Sequence, residues 1–248
     1  MGGTGFVSEI FSGIQGEGLL VGERQVFVRF AGCNLRCSYC DTPASQTPTD
    51  SCRIEQTPGK RDFLTRSNPL TAEDVADYAV RLTHHSSLIT HHSAVVFTGG
   101  EPLVQPAFLA RVASLLAGHK IMLETNGSLP DALPEILPFI DIVSMDIKLP
   151  SVTGGPDLLQ EHERFLLKAI SRDVFVKIVL TADTSTDELL AAVGIIKSVD
   201  AKIPLVLQPV TGFEPPTPSQ VLDWQAQCLT LLSKVLVIPQ CHKMMGQM

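Results

Sequence analysis

The sequence predicts an α/β protein built as an incomplete (β/α) barrel. Three observations carry that reading. Seven short apolar runs rich in Val, Ile and Phe recur along the 248 residues, each of a length that suits one strand. Helical patterns with clear start signals lie between several of them. The alternation of strand and helix implies parallel pairing, because a crossover is needed to return the chain to the same end of a sheet. About six such units fall short of the eight of a closed barrel. A doubly wound open sheet is the competing arrangement.

The strand candidates, in order, are "QVFVRF" (25–30), "AVVFT" (94–98), "KIMLET" (120–125), "DIVSMDIKL" (141–149), "FVKIVL" (175–180), "PLVLQP" (204–209) and "KVLVI" (234–238). Thr71 reads as the N-cap of "TAEDVADYAVRL", with acids in the first turn. Ser185 and Glu188 read as a capping box before "LLAAVGIIKSV", and Pro218 suits the first turn of "PSQVLDWQAQCLTLL". Residues 43–70 are rich in Pro, Thr and Ser and lack clear periodicity, so they read as a loop or lid inserted into a single domain spanning 1–248.

Forty-four per cent of the residues are hydrophobic, enough for a sizeable core, and the net charge of −7 argues against a nucleic-acid binder. The start of the chain carries no signal-peptide pattern, and no apolar run approaches the ~20 residues of a membrane span. Three of the six cysteines sit too close together to bridge one another, so a reducing, cytoplasmic setting is expected.

Those three are Cys33, Cys37 and Cys40 in "CNLRCSYCDT", spaced C-x3-C-x2-C. Thiolates are soft ligands that select zinc, copper(I) or iron–sulfur clusters. A structural zinc is closed by four ligands, and His84, His85, His91 or His92 could supply the fourth. A [4Fe–4S] cluster held by three thiolates instead leaves one iron open for a substrate or cofactor to chelate. Other segments speak to the same chemistry. In "FTGGEP" (97–102) two glycines permit close backbone approach, and Glu101 offers a carboxylate to an ammonium. The two-residue period puts Ser144, Asp146 and Lys148 on one face, Glu124 and Asn126 on another, and Val206 with Gln208 on a third. Several strands thus aim polar groups to one side near their C-terminal ends, where barrel enzymes carry their sites. Lys177 is a candidate cation for a carboxylate. The histidines of "HHSSLITHH" (84–92) read as a solvated connection, Cys228 as core and Cys52 as a free loop thiol. Lys60, Arg61 and Arg66 read as a solvated basic group, with a docking surface for an acidic electron donor as the alternative.

C-x3-C-x2-C together with "GGEP" resembles the radical S-adenosylmethionine (SAM) enzymes. Residues 9–42, "EIFSGIQGEGLLVGERQVFVRFAGCNLRCSYCDT", narrow the likeness to the 7-carboxy-7-deazaguanine synthase family, and it continues through "LETNG", "SMDIK", "LQPV" and "PQCHK". The resemblance implies a truncated radical SAM barrel. It implies a homodimer that converts 6-carboxy-5,6,7,8-tetrahydropterin to 7-carboxy-7-deazaguanine with loss of ammonia, on the route to queuosine and other 7-deazapurines. A [4Fe–4S] cluster, SAM and Mg²⁺ are the implied cofactors, with an electron donor such as flavodoxin. By the same resemblance Cys33, Cys37 and Cys40 hold the cluster and Thr42 is the magnesium ligand. Tyr39, Asp41, Gly100, Glu101, Ser144, Asp146, Lys148 and Gln208 contact SAM. Ile14, Gln15, Gly16, Arg29, Thr98 and His242 contact the substrate. The ending "MMGQM" departs from the family's usual one. A glycyl-radical activating enzyme shares the cysteine spacing, but "IQGEG" and "CDT" argue against it. A zinc-binding structural module is the non-enzymatic alternative.

Overall fold

The computed structural model describes residues 3–84, 91–212 and 214–247. A short ribbon pairs β1 (Thr4–Gly5) with β6 (Leu70–Thr71). The large sheet contains β2 (Val7–Ile14), β3 (Arg24–Phe30), β4 (Ser51–Glu55), β5 (Phe63–Ser67), β7 (Val95–Gly99), β8 (Ile121–Thr125), β9 (Ile142–Ile147), β10 (Asp173–Leu180), β11 (Leu205–Pro209) and β12 (Val235–Val237). Its spatial order is β12-β11-β10-β9-β8-β7-β3-β2-β4-β5. From β12 to β3 all pairings are parallel; β2 runs antiparallel to β3, and β5 antiparallel to β4. The sheet does not close, as an incomplete barrel requires.

The main helices are α1 (Ala72–Thr83), α2 (Pro106–Leu115), α5 (Leu159–Ala169), α6 (Thr186–Asp200) and α7 (Pro218–Leu229); α3 (Leu133–Ile136), α4 (Pro150–Thr153) and α8 (Cys241–Met244) are single turns. Thr71 caps α1 by accepting from Asp74 N at 3.1 Å. Ser185 caps α6, but Glu188 does not close the box: its carboxylate accepts from Ser151 N at 2.8 Å instead. The reciprocal box is at α7, between Thr217 and Gln220, with Pro218 in the first turn. The sequence did not mark α2 or α5.

The strand period builds two layers on the concave face. Phe27, Val96, Met122, Ile142, Phe175 and Val206 form an apolar floor, with Phe11 packed beside them. Two residues further along each strand the side chain points the same way, one layer higher. That upper layer holds Arg29, Thr98, Glu124, Ser144, Lys177 and Gln208, and it faces a cavity. The alternate residues, among them Val28, Phe97, Leu123, Met145, Ile178 and Leu207, face the helices in one large hydrophobic cluster.

Residues 43–70, expected as an aperiodic loop, contain a β-hairpin. β4 and β5 pair antiparallel from Ser51↔Ser67 to Glu55↔Phe63, and β4 extends the sheet beyond β2. "SCRIE" does alternate: Cys52 and Ile54 are buried while Ser51 and Arg53 are exposed. Cys52 is therefore a core thiol, not a loop thiol; burial, with Glu9 nearby, pushes its pKa up to about 12. Five residues flanked by Pro and Thr are too few for composition to reveal that alternation.

Candidate active site

Every residue that the family resemblance assigns to the cluster, magnesium, SAM or substrate, except Glu101, lines one cavity of about 380 Å³ at the C-terminal ends of the strands. The cysteine loop leaves β3 and is fixed at both ends. Arg36 donates to the carbonyls of Cys33 and Leu35 at 2.9 and 2.8 Å, and Leu35 N donates to Cys33 Sγ at 3.4 Å. Ser38 is tied to α4 through Val152 O and Thr153 O. Asn34 donates to Ser128 Oγ at 2.8 Å and accepts from Asn126 Nδ2 at 3.0 Å.

Cys33, Cys37 and Cys40 are free and half-buried. Burial raises the pKa of Cys33 and Cys37, so these thiols wait for a metal to displace their protons. Among the described residues, the only three ligand groups within 4.8 Å of one another are Glu17, Asp41 and His242. A tetrahedral zinc, with Zn–S of about 2.3 Å, needs sulfurs roughly 3.8 Å apart. The three cysteines all line the same cavity, and three thiolates would leave one iron of a [4Fe–4S] cluster open to a ligand. Among the described residues, no histidine is grouped with the three cysteines. His92 Nε2 lies 2.8 Å from Ser12 Oγ, beside the N-terminal end of β3, opposite the cysteine loop. His84 contacts His119. His85 lies outside the described residues.

Glycine is required in "GGEP" by close approach. Gly99 has φ +131°, and a Cβ on Gly100 would lie 2.2 Å from Gly32 O. Glu101 is fully buried and does not itself line the cavity, but its carboxylate bonds Thr125 and Asn126, which do. It accepts from Leu103 N at 3.1 Å, Thr125 Oγ1 at 2.8 Å and Asn126 N at 2.7 Å. Burial outweighs these donors and lifts its pKa to about 7. It clasps the turn after β7 to the end of β8.

Beside the cysteines, Lys148 Nζ sits 2.8 Å from Asp146 Oδ2 and 3.2 Å from Tyr39 Oη. Burial alone would lower the pKa of Lys148, but Asp146, with Tyr39 and Cys37, raises it well above the ordinary lysine value. Lys177 Nζ lies 3.3 Å from Asp146 Oδ2 and is also paired with Glu17 Oε2. The carboxylate partner expected for Lys177 is thus two carboxylates.

At the other end, Gln15 is buried and donates to Glu124 Oε1 at 2.9 Å and Gln25 Oε1 at 3.1 Å. Burial, with Glu17 near, raises the pKa of Glu124. Arg29 is in register with Thr98 and places Nε 3.4 Å from Glu9 Oε2. The last wall comes from the far end of the chain. Gln240 Nε2 donates to Glu17 Oε1 and Asp41 Oδ2, both at 2.8 Å, and Cys241 N donates to Gly16 O at 2.9 Å. A Cβ on Gly16 would lie 2.3 Å from His242 Nδ1, so this glycine makes room for that histidine. Burial raises the pKa of Glu17, but the Lys177 cation reverses this and holds it at about 2. These bonds already occupy the Glu17–Asp41–His242 group. Thr42 precedes a 3-10 turn (Pro43–Ser45) yet makes no capping bond, and its side chain is left to the cavity.

Residues 27–182 match the model of the radical SAM superfamily. A 7-carboxy-7-deazaguanine synthase of Geobacter sulfurreducens is 44% identical over 98% of this chain and 97% of its own. That of Methanopyrus kandleri is 39% identical over 96% of this chain and 92% of its own. The chain belongs to the 7-carboxy-7-deazaguanine synthase family of radical SAM enzymes. The fold agrees: the crystal structure of QueE from Escherichia coli superposes with a TM-score of 0.62 at 20% identity, covering 96% of this chain and 95% of that one. SuiB of Streptococcus suis, crystallised with S-adenosylmethionine, gives 0.53 at 14% identity over 86% of this chain and 48% of its own. The glycyl-radical activating enzyme and the zinc module are not favoured by these relatives.

Two cavity-lining side chains of this family member carry a buried polar atom with no hydrogen-bond partner among the described residues, Asp146 Oδ1 and Gln208 Oε1, whereas Arg29 Nε is ion-paired with Glu9. Each such atom costs free energy unless a ligand satisfies it. Sequence reasoning did not name Glu17 or Gln240, although both stand inside quoted motifs, "IQGEG" and "PQCHK". Their meeting across 223 positions has no local signal.

Proposed function

We propose that this chain converts 6-carboxy-5,6,7,8-tetrahydropterin to 7-carboxy-7-deazaguanine and ammonia. The observation that carries the reading is that the cluster, substrate and, Glu101 aside, SAM candidates line the same cavity, where the buried Asp146 Oδ1 and Gln208 Oε1 lack hydrogen-bond partners among the described residues. When bound, the cluster and SAM supply a 5′-deoxyadenosyl radical able to take the hydrogen at C6. Cys33, Cys37 and Cys40 hold the cluster at one end. Asp146, Lys148, Tyr39, Ser144, Gly100 and Gln208 line the adjoining stretch as SAM contacts, with Asp41 on the tail side.

The substrate's carboxylate is met by Arg29, whose guanidinium can pair bidentately. Its ring N–H donors are met by Glu124, which Gln15 orients at 2.9 Å. Ile14, Gly16 and Thr98 shape the remaining walls, and His242 presents a neutral imidazole, its pKa lowered by burial. The apolar floor and the tail exclude water. Thr42 offers a hard hydroxyl oxygen to Mg²⁺, which keeps several non-protein ligands.

In the same reading the chain is one cytoplasmic domain that acts as a homodimer, with a flavodoxin-like donor supplying the electron. The test is anaerobic reconstitution with iron and sulfide, then incubation with the pterin, SAM and a reductant. The expected result is a brown protein that forms the deazaguanine and one equivalent of ammonia without net SAM consumption. Cys37→Ala should lose the cluster, whereas Cys52→Ala should keep it. SAM cleavage without deazaguanine in the wild type would reject the substrate assignment.

A further inference from the structure

The cavity wall made by the C-terminal segment is held from outside by the β4–β5 hairpin. α8 and the residues after it turn back on themselves: Gln247 N donates to His242 O at 2.8 Å, and Gly246 N to Lys243 O at 3.3 Å. His242, Lys243 and Gln247 all line the cavity. The guanidinium of Arg61, at the hairpin tip, donates to Gly246 O. Arg61 is the one non-glycine residue with positive φ among the described residues, at +58°.

That unfavourable conformation is held by the surrounding structure. Arg61 N donates to Glu55 Oε1 at 2.8 Å, and the buried Glu55 accepts from Ser12 N at 2.8 Å through its other oxygen. Arg24 reaches Pro58 O at 3.1 Å, and Asp62 accepts from Thr57 N at 2.8 Å. The tip is thus anchored to β2, β3 and β4 and presents one cation to the tail.

We propose that Arg61 is a positioning residue that latches the 240–247 segment across the cavity, fixing Gln240 and His242 against Glu17, Asp41 and Gly16. This rests on the pterin reading only for its kinetic consequence. With the latch gone, substrate binding must also order the tail, so KM for the pterin rises more than kcat falls. Water enters more often, so a larger share of SAM cleavage occurs without product. Cluster assembly, which depends on three cysteines that Arg61 does not hydrogen-bond, stays normal.

The test uses full-length protein carrying Arg61→Gly. Glycine adopts φ +58° freely, so the hairpin backbone is kept while the side chain that reaches Gly246 O is removed. Arg66→Ala, on the same hairpin, is the control, since Arg66 bonds Tyr78 Oη and not the tail. Two readouts are taken. Amide exchange across 240–247, without substrate, should accelerate roughly two- to tenfold in Arg61→Gly, the range of one net hydrogen bond, and stay unchanged in Arg66→Ala. KM for the pterin should rise by a similar factor, with more uncoupled SAM cleavage, and Arg61→Lys should recover part of both effects. Wild-type exchange in the tail of Arg61→Gly overturns the latch. Faster exchange with unchanged KM and coupling overturns the positioning role. A wild type that fails to turn over the pterin rejects the substrate reading alone, because the exchange result stands without it.

Discussion

Thr42 shows how little of a site need be polar contact to another residue. It stands at a capping position but makes no side-chain capping bond, and it lines the cavity two residues after Cys40. If that oxygen binds Mg²⁺, Thr42→Val removes one hard ligand while keeping the β-branched shape. Cluster content and SAM cleavage should persist, while deazaguanine formation should fall and lose its dependence on added Mg²⁺. Product formation measured against Mg²⁺ concentration decides the matter; superimposable curves for the two proteins would make Thr42 a packing residue. Glu101 teaches the opposite lesson. The residue type in "GGEP" suggested an ammonium partner, and the structure adds three donors from the protein itself to the same carboxylate. Residue type and spacing made the cavity-lining residues legible, whereas the actual use of a buried carboxylate is set by neighbours distant in sequence.

At the scale of elements, the central strands were readable because they are apolar on both faces or alternate cleanly. Their polar upper layer was readable because the period is 2. The β4–β5 hairpin was not, since its five-residue strands lie among turn-forming residues. α5 was missed too, and it carries His162, which is buried and donates from Nε2 to Asn126 O at 3.1 Å. Asn126 in turn holds Asn34 of the cysteine loop. Burial drives the His162 pKa down to about 4. The unfolded chain takes up a proton near pH 6.5 that the folded chain refuses until about 4. His162 therefore contributes stability above pH 6.5 that is lost as pH falls to 4, up to about 3 kcal/mol. Glu101 works in the opposite sense: its raised pKa makes stability decline as pH rises from 4.5 to about 7. The two slopes offset each other in the native chain, so a variant is needed to separate them. Urea unfolding of ligand-free His162→Leu should show lower stability at pH 7.5 but a smaller loss on going to pH 5 than the native chain. An equal loss would mean that His162 titrates normally.

The whole molecule sets a well-packed floor and a helical outer layer against a cavity that the fold leaves electrostatically incomplete. Asp146 Oδ1 and Gln208 Oε1 are buried without hydrogen-bond partners among the described residues, and they stand on strands β9 and β11. A fold that tolerates such atoms is less stable empty than it could be, and it recovers the difference when ligand binds. Gln208 isolates the effect, because it is 1% exposed and its Oε1 has no partner. Gln208→Met keeps an unbranched side chain of the same length and removes the unsatisfied amide. The ligand-free variant should be as stable as the native protein, or more stable by about 1–2 kcal/mol. Ligand should reverse the order of benefit. At SAM a hundredfold above its Kd, binding stabilises the native, cluster-loaded protein by about 2.7 kcal/mol, and a tenfold weaker site would deliver only about 1.4. Anaerobic urea unfolding with and without SAM, for both proteins, measures all four values. A variant destabilised when empty but gaining as much from SAM as the native chain would show that Gln208 serves packing, and that its partnerless oxygen is not part of the SAM site.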